Sequence, residues 1–218
     1  MASKIIANIG DRNKARLLFF AYALILFVSE HHFSFMLFNL FLAYASLEIS
    51  YLLPLFRVRK RSELPASLLV YVLFLLMSPN VFYIVTDLIH LNAFPFRYTE
   101  GLRVKEWWHF TILVSGVFIA VFYYATMIKQ VLDLLKLSRW SRWSRHILFA
   151  FIVLNSVGIY IGRFLRFHSV HLFTEPFKLM QQFIDSITRD ALLFIGWITL
   201  LQLLVVWMFA RAGEGVKT

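Results

Sequence analysis

The chain contains no cysteine. Disulfides, thiolate metal sites and thiol catalysis are therefore excluded. Charge is also scarce. Only 16% of its 218 residues are Asp, Glu, Lys or Arg, against about a quarter in a soluble domain. Acidic groups are the scarcer sign, 12 against 22 basic, for a net charge of +10. There is no Gly-rich phosphate loop, G-x-S-x-G elbow or H-E-x-x-H pair, so the common signatures of nucleotide, serine and zinc chemistry are missing. Neither a repeat of solenoid length nor an inverted repeat of the transporter type is visible.

Apolar sequence fills the space. Hydrophobic residues make up 60% of the chain, and Phe alone occurs 24 times. The apolar runs are Leu17 to Val28, Phe33 to Phe56, Leu64 to Leu91, Trp107 to about Ile128, Ile147 to about Arg163, and Ala191 to Phe209. A membrane-spanning helix needs about 20 such residues. The reading is an all-α polytopic membrane helix bundle of about six transmembrane helices, forming one integral membrane domain over residues 1–218. The first run is short. Ser29-Glu30-His31-His32 offers no small-x-small cleavage site, so it reads as an uncleaved anchor, with Arg16 snorkelling to compensate for its length. Asn92 to Glu106 and Leu172 to Asp190 read as loops.

The positive balance does not point to nucleic acid, because the basic residues sit in short loops between apolar runs. Of the 22 Lys and Arg, 15 fall in the segments that are inside if the N-terminus is inside, and 7 fall outside. That bias places both termini in the cytoplasm. The partners implied are membrane lipids, chiefly anionic ones. Ser138 to Arg145 repeats Ser-Arg-Trp and reads as a surface-lying segment on such lipid. No protein partner follows from the sequence, and no cofactor.

The third run would extend about 42 Å as one helix, beyond a hydrocarbon core of about 30 Å. Ser78-Pro79 is the expected break, with Ser78 as N-cap and Pro79 as first helical residue. Beyond it, Asn80, Tyr83, Asp87 and His90 are spaced three, four and three residues apart, which on an α-helix is one face. Tyr160, Arg163 and Arg166 repeat at intervals of three, followed by His168, Ser169 and His171. Both sets lie at the outer ends of their helices. Asp87 paired with Arg163 or Arg166 would neutralise charges that lipid penalises singly. Such groups either pin helices together or line an outward-facing site for an anionic lipid or solute. Asp87 with His90 and His168 with His171 are i, i+3 pairs that could supply four zinc ligands; the spacing is common by chance, and no metal is assigned. Glu48 in the second run is expected to be paired inside the bundle or to reach the headgroups, with Asn39 on a roughly opposite face.

Ser78 to Leu91 resembles the "PNxxYxxTDxxHL" signature of the bacterial domain of unknown function 1361 family. Gly158 to His171 resembles its second signature, "GxYxGRxLRxNSxD", with His168 in place of Asn and His171 in place of Asp. The resemblance covers most of the chain. It implies a small polytopic protein of the bacterial cell membrane with one site shared by the two motifs, and no particular chemistry.

Three functions fit. The first is non-enzymatic binding or movement of an anionic lipid or solute. The second is a structural or accessory subunit in which the polar groups only lock helices. The third is a membrane-embedded enzyme on a lipid-linked substrate, with His90 or Asp87 as general base. The first two are favoured over the third.

Overall fold

The computed structural model describes residues 10–29, 33–58, 60–94, 101–136, 141–165, 174 and 176–212. Among them there is no strand. Lipid offers no partner to a backbone N–H or C=O, so a chain this apolar satisfies its backbone within helices. The helices are α1 (Asp11–Val28), α2 (Ser34–Leu52), α3 (Leu64–Met77), α4 (Pro79–Tyr83, continuing as a 3-10 helix over Ile84–Ala93), α5 (Val104–Lys136), α6 (Ser144–Tyr160, continuing as a π turn over Ile161–Leu165), α7 (Pro176–Asp185) and α8 (Arg189–Ala212).

Among the described residues, five helical stretches are long and apolar enough to cross a membrane: Ser34–Phe56, Arg61–Ala93, Val104–Lys136, Ser144–Leu165 and Arg189–Phe209. They correspond to the second through sixth apolar runs. The first run lies in α1, which begins at Asp11 and carries Arg12, Lys14 and Arg16 in its opening turns. From Leu17 onward only about 18 Å of helix remains, short of the hydrocarbon thickness. Its outer stripe is nevertheless greasy. Leu17, Phe20, Leu24, Phe27 and Val28 are exposed, whereas Ala15, Tyr22 and Leu26 on the opposite side are buried.

Helix extends into two stretches outside the apolar runs. α5 runs two turns past Ile128, because Val131 continues its buried face. Leu172 to Asp190 contains α7, whose Phe177, Met180 and Ile184 recur at helical spacing. Pro176 sits at the first position of α7, where its missing N–H costs nothing. The Ser-Arg-Trp repeat lies partly outside the described residues; its second half is a 3-10 turn over Ser141–Trp143 that leads into α6.

The chain divides into two compact units, Met1–Glu48 with Asn80–Thr126, and Ile49–Pro79 with Met127–Thr218. In the first, Met36, Leu40, Phe82, Ile84, Leu113, Tyr123 and Tyr124 form a dry core. α1 is tied to α5 at two heights. Tyr22 Oη donates to the Ile112 carbonyl at 2.7 Å, and Tyr123 Oη donates to the Ala15 carbonyl at 2.8 Å. Gly116 permits this approach, since a Cβ there would meet Tyr22 Oη at 2.7 Å.

In the second unit α8 packs along α6. Ser156 Oγ accepts from Thr199 Oγ1 at 2.9 Å and from Gln202 Nε2 at 2.7 Å, all three buried. Phe74 of α3 stacks on Phe151 of α6 at 5.7 Å.

Candidate functional site

The third span is interrupted at Ser78, as the proline requires. Pro79 has no N–H to give the Leu75 carbonyl, one turn earlier. The Ser78 hydroxyl lies 3.1 Å from that carbonyl and 2.8 Å from Asn155 Oδ1, and shares its proton between them. Ser78 is therefore not an N-cap. It keeps helical φ and ψ of −56° and −33°, and a hydroxyl re-satisfies the group that the proline left open. On the facing helix, an added Cβ at Gly158 would lie 2.5 Å from Pro79 Cγ. The two signature stretches thus meet within the second unit at Pro79 and Gly158, with Asn155, three residues before the second stretch, bonded to Ser78. That contact is more than two helical turns before Asp87.

Beyond Tyr83 the winding changes. Ile84–Ala93 is a 3-10 helix of ten residues, although such runs seldom exceed three or four. At three residues per turn, Ile84, Asp87 and His90 stack in line, while Tyr83 falls about a third of a turn from Asp87. Tyr83 therefore leaves the line that Asp87 and His90 share, with buried Ile84 beneath them, while Asn80 and Tyr83 lie half-buried on the α-helical part.

Within the first unit that face is matched to α2. The Asn39 side-chain amide donates to Asp87 Oδ2 at 2.7 Å, and Asp87 is 1% exposed. One turn on, the His90 ring lies on Phe35 with centroids 4.3 Å apart. A three-residue interval on one helix thus meets a four-residue interval on the other. Asn39 is a site residue that the sequence marked only as polar. Its signal was an amide inside an apolar run, which lipid penalises unless it is paired.

Glu48 has a different solution. Its Oε2 accepts from Arg12 Nε at 2.9 Å and Nη2 at 2.6 Å, while Oε1 accepts from Arg16 Nε at 2.8 Å and Tyr44 Oη at 3.0 Å. The expected pairing of Glu48 inside the bundle is found, with two arginines one turn apart on α1 as partners. Two guanidinium forks on one carboxylate fasten the start of α1 to α2.

In the second signature, Tyr160 ends α6 and Arg163 lies in the π turn over Ile161–Leu165. Tyr160 Oη donates to the Ser186 carbonyl at 3.0 Å. Phe164 meets Phe194 edge-on at 4.9 Å, so the widened turn is held against α8. With i→i+5 winding, residues three apart no longer stack, and Tyr160 and Arg163 diverge. Arg166, His168, Ser169 and His171 lie outside the described residues, so the zinc alternative on Asp87, His90, His168 and His171 is represented only by its first pair. Among the described residues no cluster of three or more His, Asp or Glu is suited to a metal ion.

The family model for a protein of unknown function, DUF1361, matches residues 38–205. The chain belongs to the DUF1361 family. That match takes in both signature stretches and three of the five long apolar helices whole, with most of the first and the last. No curated protein and no solved structure matches the chain. This DUF1361 member is thus a multi-pass helical membrane protein, and its chemistry has to be argued from its own side chains.

Proposed function

We propose that this protein is a non-enzymatic binder of an anionic lipid or solute at the outer end of its helices, in a bacterial cell membrane with both termini cytoplasmic. Asp87 and His90 serve there as a fixed wall. The observation that carries the reading is the state of Asp87, which is buried and held by Asn39 at 2.7 Å. A general base has to come within about 2.6–3.2 Å of a substrate proton, and a carboxylate without an exposed edge is poorly placed for that. In the same unit the segment leading into α5 carries Arg103 and Lys105, which supply the attraction for an anion.

The same contacts also favour a second reading, an accessory subunit in which they only lock helices. Native mass spectrometry of gently extracted protein separates the two. Binding requires that an anionic lipid or solute stay with the wild type. A bare protein, with His90→Ala changing nothing but stability, would favour the lock.

A further inference from the structure

The first unit contains a half-open cavity of about 460 Å³ between the end of α1 and the beginning of α5. That volume lies within the range of about 300–1,000 Å³ typical of ligand pockets. Leu24 and Val28 of α1, with Phe33 and Trp108, form its apolar wall. Ser29, Lys105 and His109 supply its polar groups. The His109 ring is held between Phe33 and Phe94, with centroids 5.3 Å and 4.2 Å away, so this end of the cavity is ordered by packing.

Leu24 and Val28 also belong to the greasy outer stripe of α1, where they are 64% and 79% exposed. The cavity wall and the exposed stripe of α1 therefore share Leu24 and Val28, and in a bilayer a chain could enter along that stripe. At the other end stands an ammonium on a long flexible stem, of the kind that reaches for headgroups. Trp107 and Trp108 beside it are residues typical of the headgroup level. An apolar slot open to lipid with a cation at its rim is complementary to an amphiphile with a negative head. A free inorganic anion would leave the slot unfilled, and an uncharged amphiphile would gain nothing from the positive charge of Lys105.

We infer that this cavity seats one acyl chain of an anionic phospholipid, with the phosphate at Lys105 and the chain along Leu24 and Val28. The inference rests on the reading of the protein as an anion binder and adds a seat for a lipid that does not include Asp87 or His90.

The test uses full-length protein, delipidated in detergent and titrated with phosphatidylglycerol, phosphatidylcholine or inorganic phosphate under native mass spectrometry. The wild type should retain phosphatidylglycerol in preference to phosphatidylcholine of the same chains. Lys105→Ala should weaken phosphatidylglycerol about fivefold, the worth of one interfacial cation, and leave phosphatidylcholine unchanged. Val28→Trp, which fills the slot, should weaken both lipids. Detergent melting temperatures should match the wild type in both variants, since both positions are exposed. Displacement of the lipid by millimolar inorganic phosphate alone would overturn the seated chain. Phosphatidylglycerol held equally by wild type, Lys105→Ala and Val28→Trp would overturn this site while leaving an anion binder standing. No anion retained by the wild type would remove both.

Discussion

Whether Asp87 and Asn39 are bound to each other can be measured as a coupling energy. Asn39→Leu removes the donor and leaves a buried carboxylate short of a hydrogen bond. Bonds to charged groups contribute about 1.5–3 kcal/mol, so that is the expected loss. Asp87→Leu leaves a half-buried amide short of its acceptor, which costs about 1 kcal/mol, the low end for an unsatisfied group. The double variant removes both polar groups from an apolar setting at once. It should therefore cost less than the sum of the singles, by about 1.5–3 kcal/mol. Any other interaction of Asp87 is lost in both Asp87 arms of the cycle and cancels to first order. The low end of that range stands above the average of about 0.6 kcal/mol for interhelical hydrogen bonds in membranes, because the acceptor here is a carboxylate. The assay is reversible unfolding of purified protein by a denaturing detergent in mixed micelles, followed by loss of helix. Additivity of the two substitutions within about 0.5 kcal/mol would refute the bond at 2.7 Å as a contributor to the fold, and with it the fixed-wall role of Asp87.

Two further outcomes follow from the geometry. Gly158→Ala puts a Cβ 2.5 Å from Pro79 Cγ and should destabilise by about 1–3 kcal/mol through overpacking; in the same detergent titration Pro79→Ala should recover part of the loss, and equal costs in both backgrounds would count against the contact. Because the chain has no cysteine, cysteines placed singly at Glu63, Ser141, Asn92 and Thr174 report orientation: the first two should stay unlabelled by an impermeant thiol reagent on intact cells and the last two should react, whereas labelling at Glu63 would reverse the proposed topology.

The spans were legible in the sequence because the bilayer imposes length and apolarity together. Where either signal weakens, the reading weakens as well. Leu17 to Val28 is apolar but short, and α1 extends it with charged turns that pair back onto Glu48. α7 was read as a loop because Pro176, Gln181 and Gln182 outweighed the helical spacing of Phe177, Met180 and Ile184. The break at Ser78-Pro79 was legible for a covalent reason, the missing proline N–H. Its repair was not, since the Ser78 hydroxyl takes the orphaned carbonyl only with Asn155 from a distant helix beside it.

The polar face was misjudged through its period. Asn80, Tyr83, Asp87 and His90 fit 3.6 residues per turn, and nothing local marks the change to three at Ile84. The partners were missed for a related reason. Lipid makes every buried carboxylate costly, so the sequence shows which groups must find a partner. Which partner each finds depends on helix register, a tertiary property. At Glu48 the carboxylate lies within reach of the charged opening turns of α1, and there two guanidiniums supply the charge. Asp87 lies in the ten-residue 3-10 stretch, where the facing position on α2 offers the amide of Asn39. The change of winding at Ile84 thus helps to set Asn39 against that carboxylate. Any substitution that restores α-helical winding there would rotate Asp87 away from Asn39 and set His90 off Phe35 in the same step.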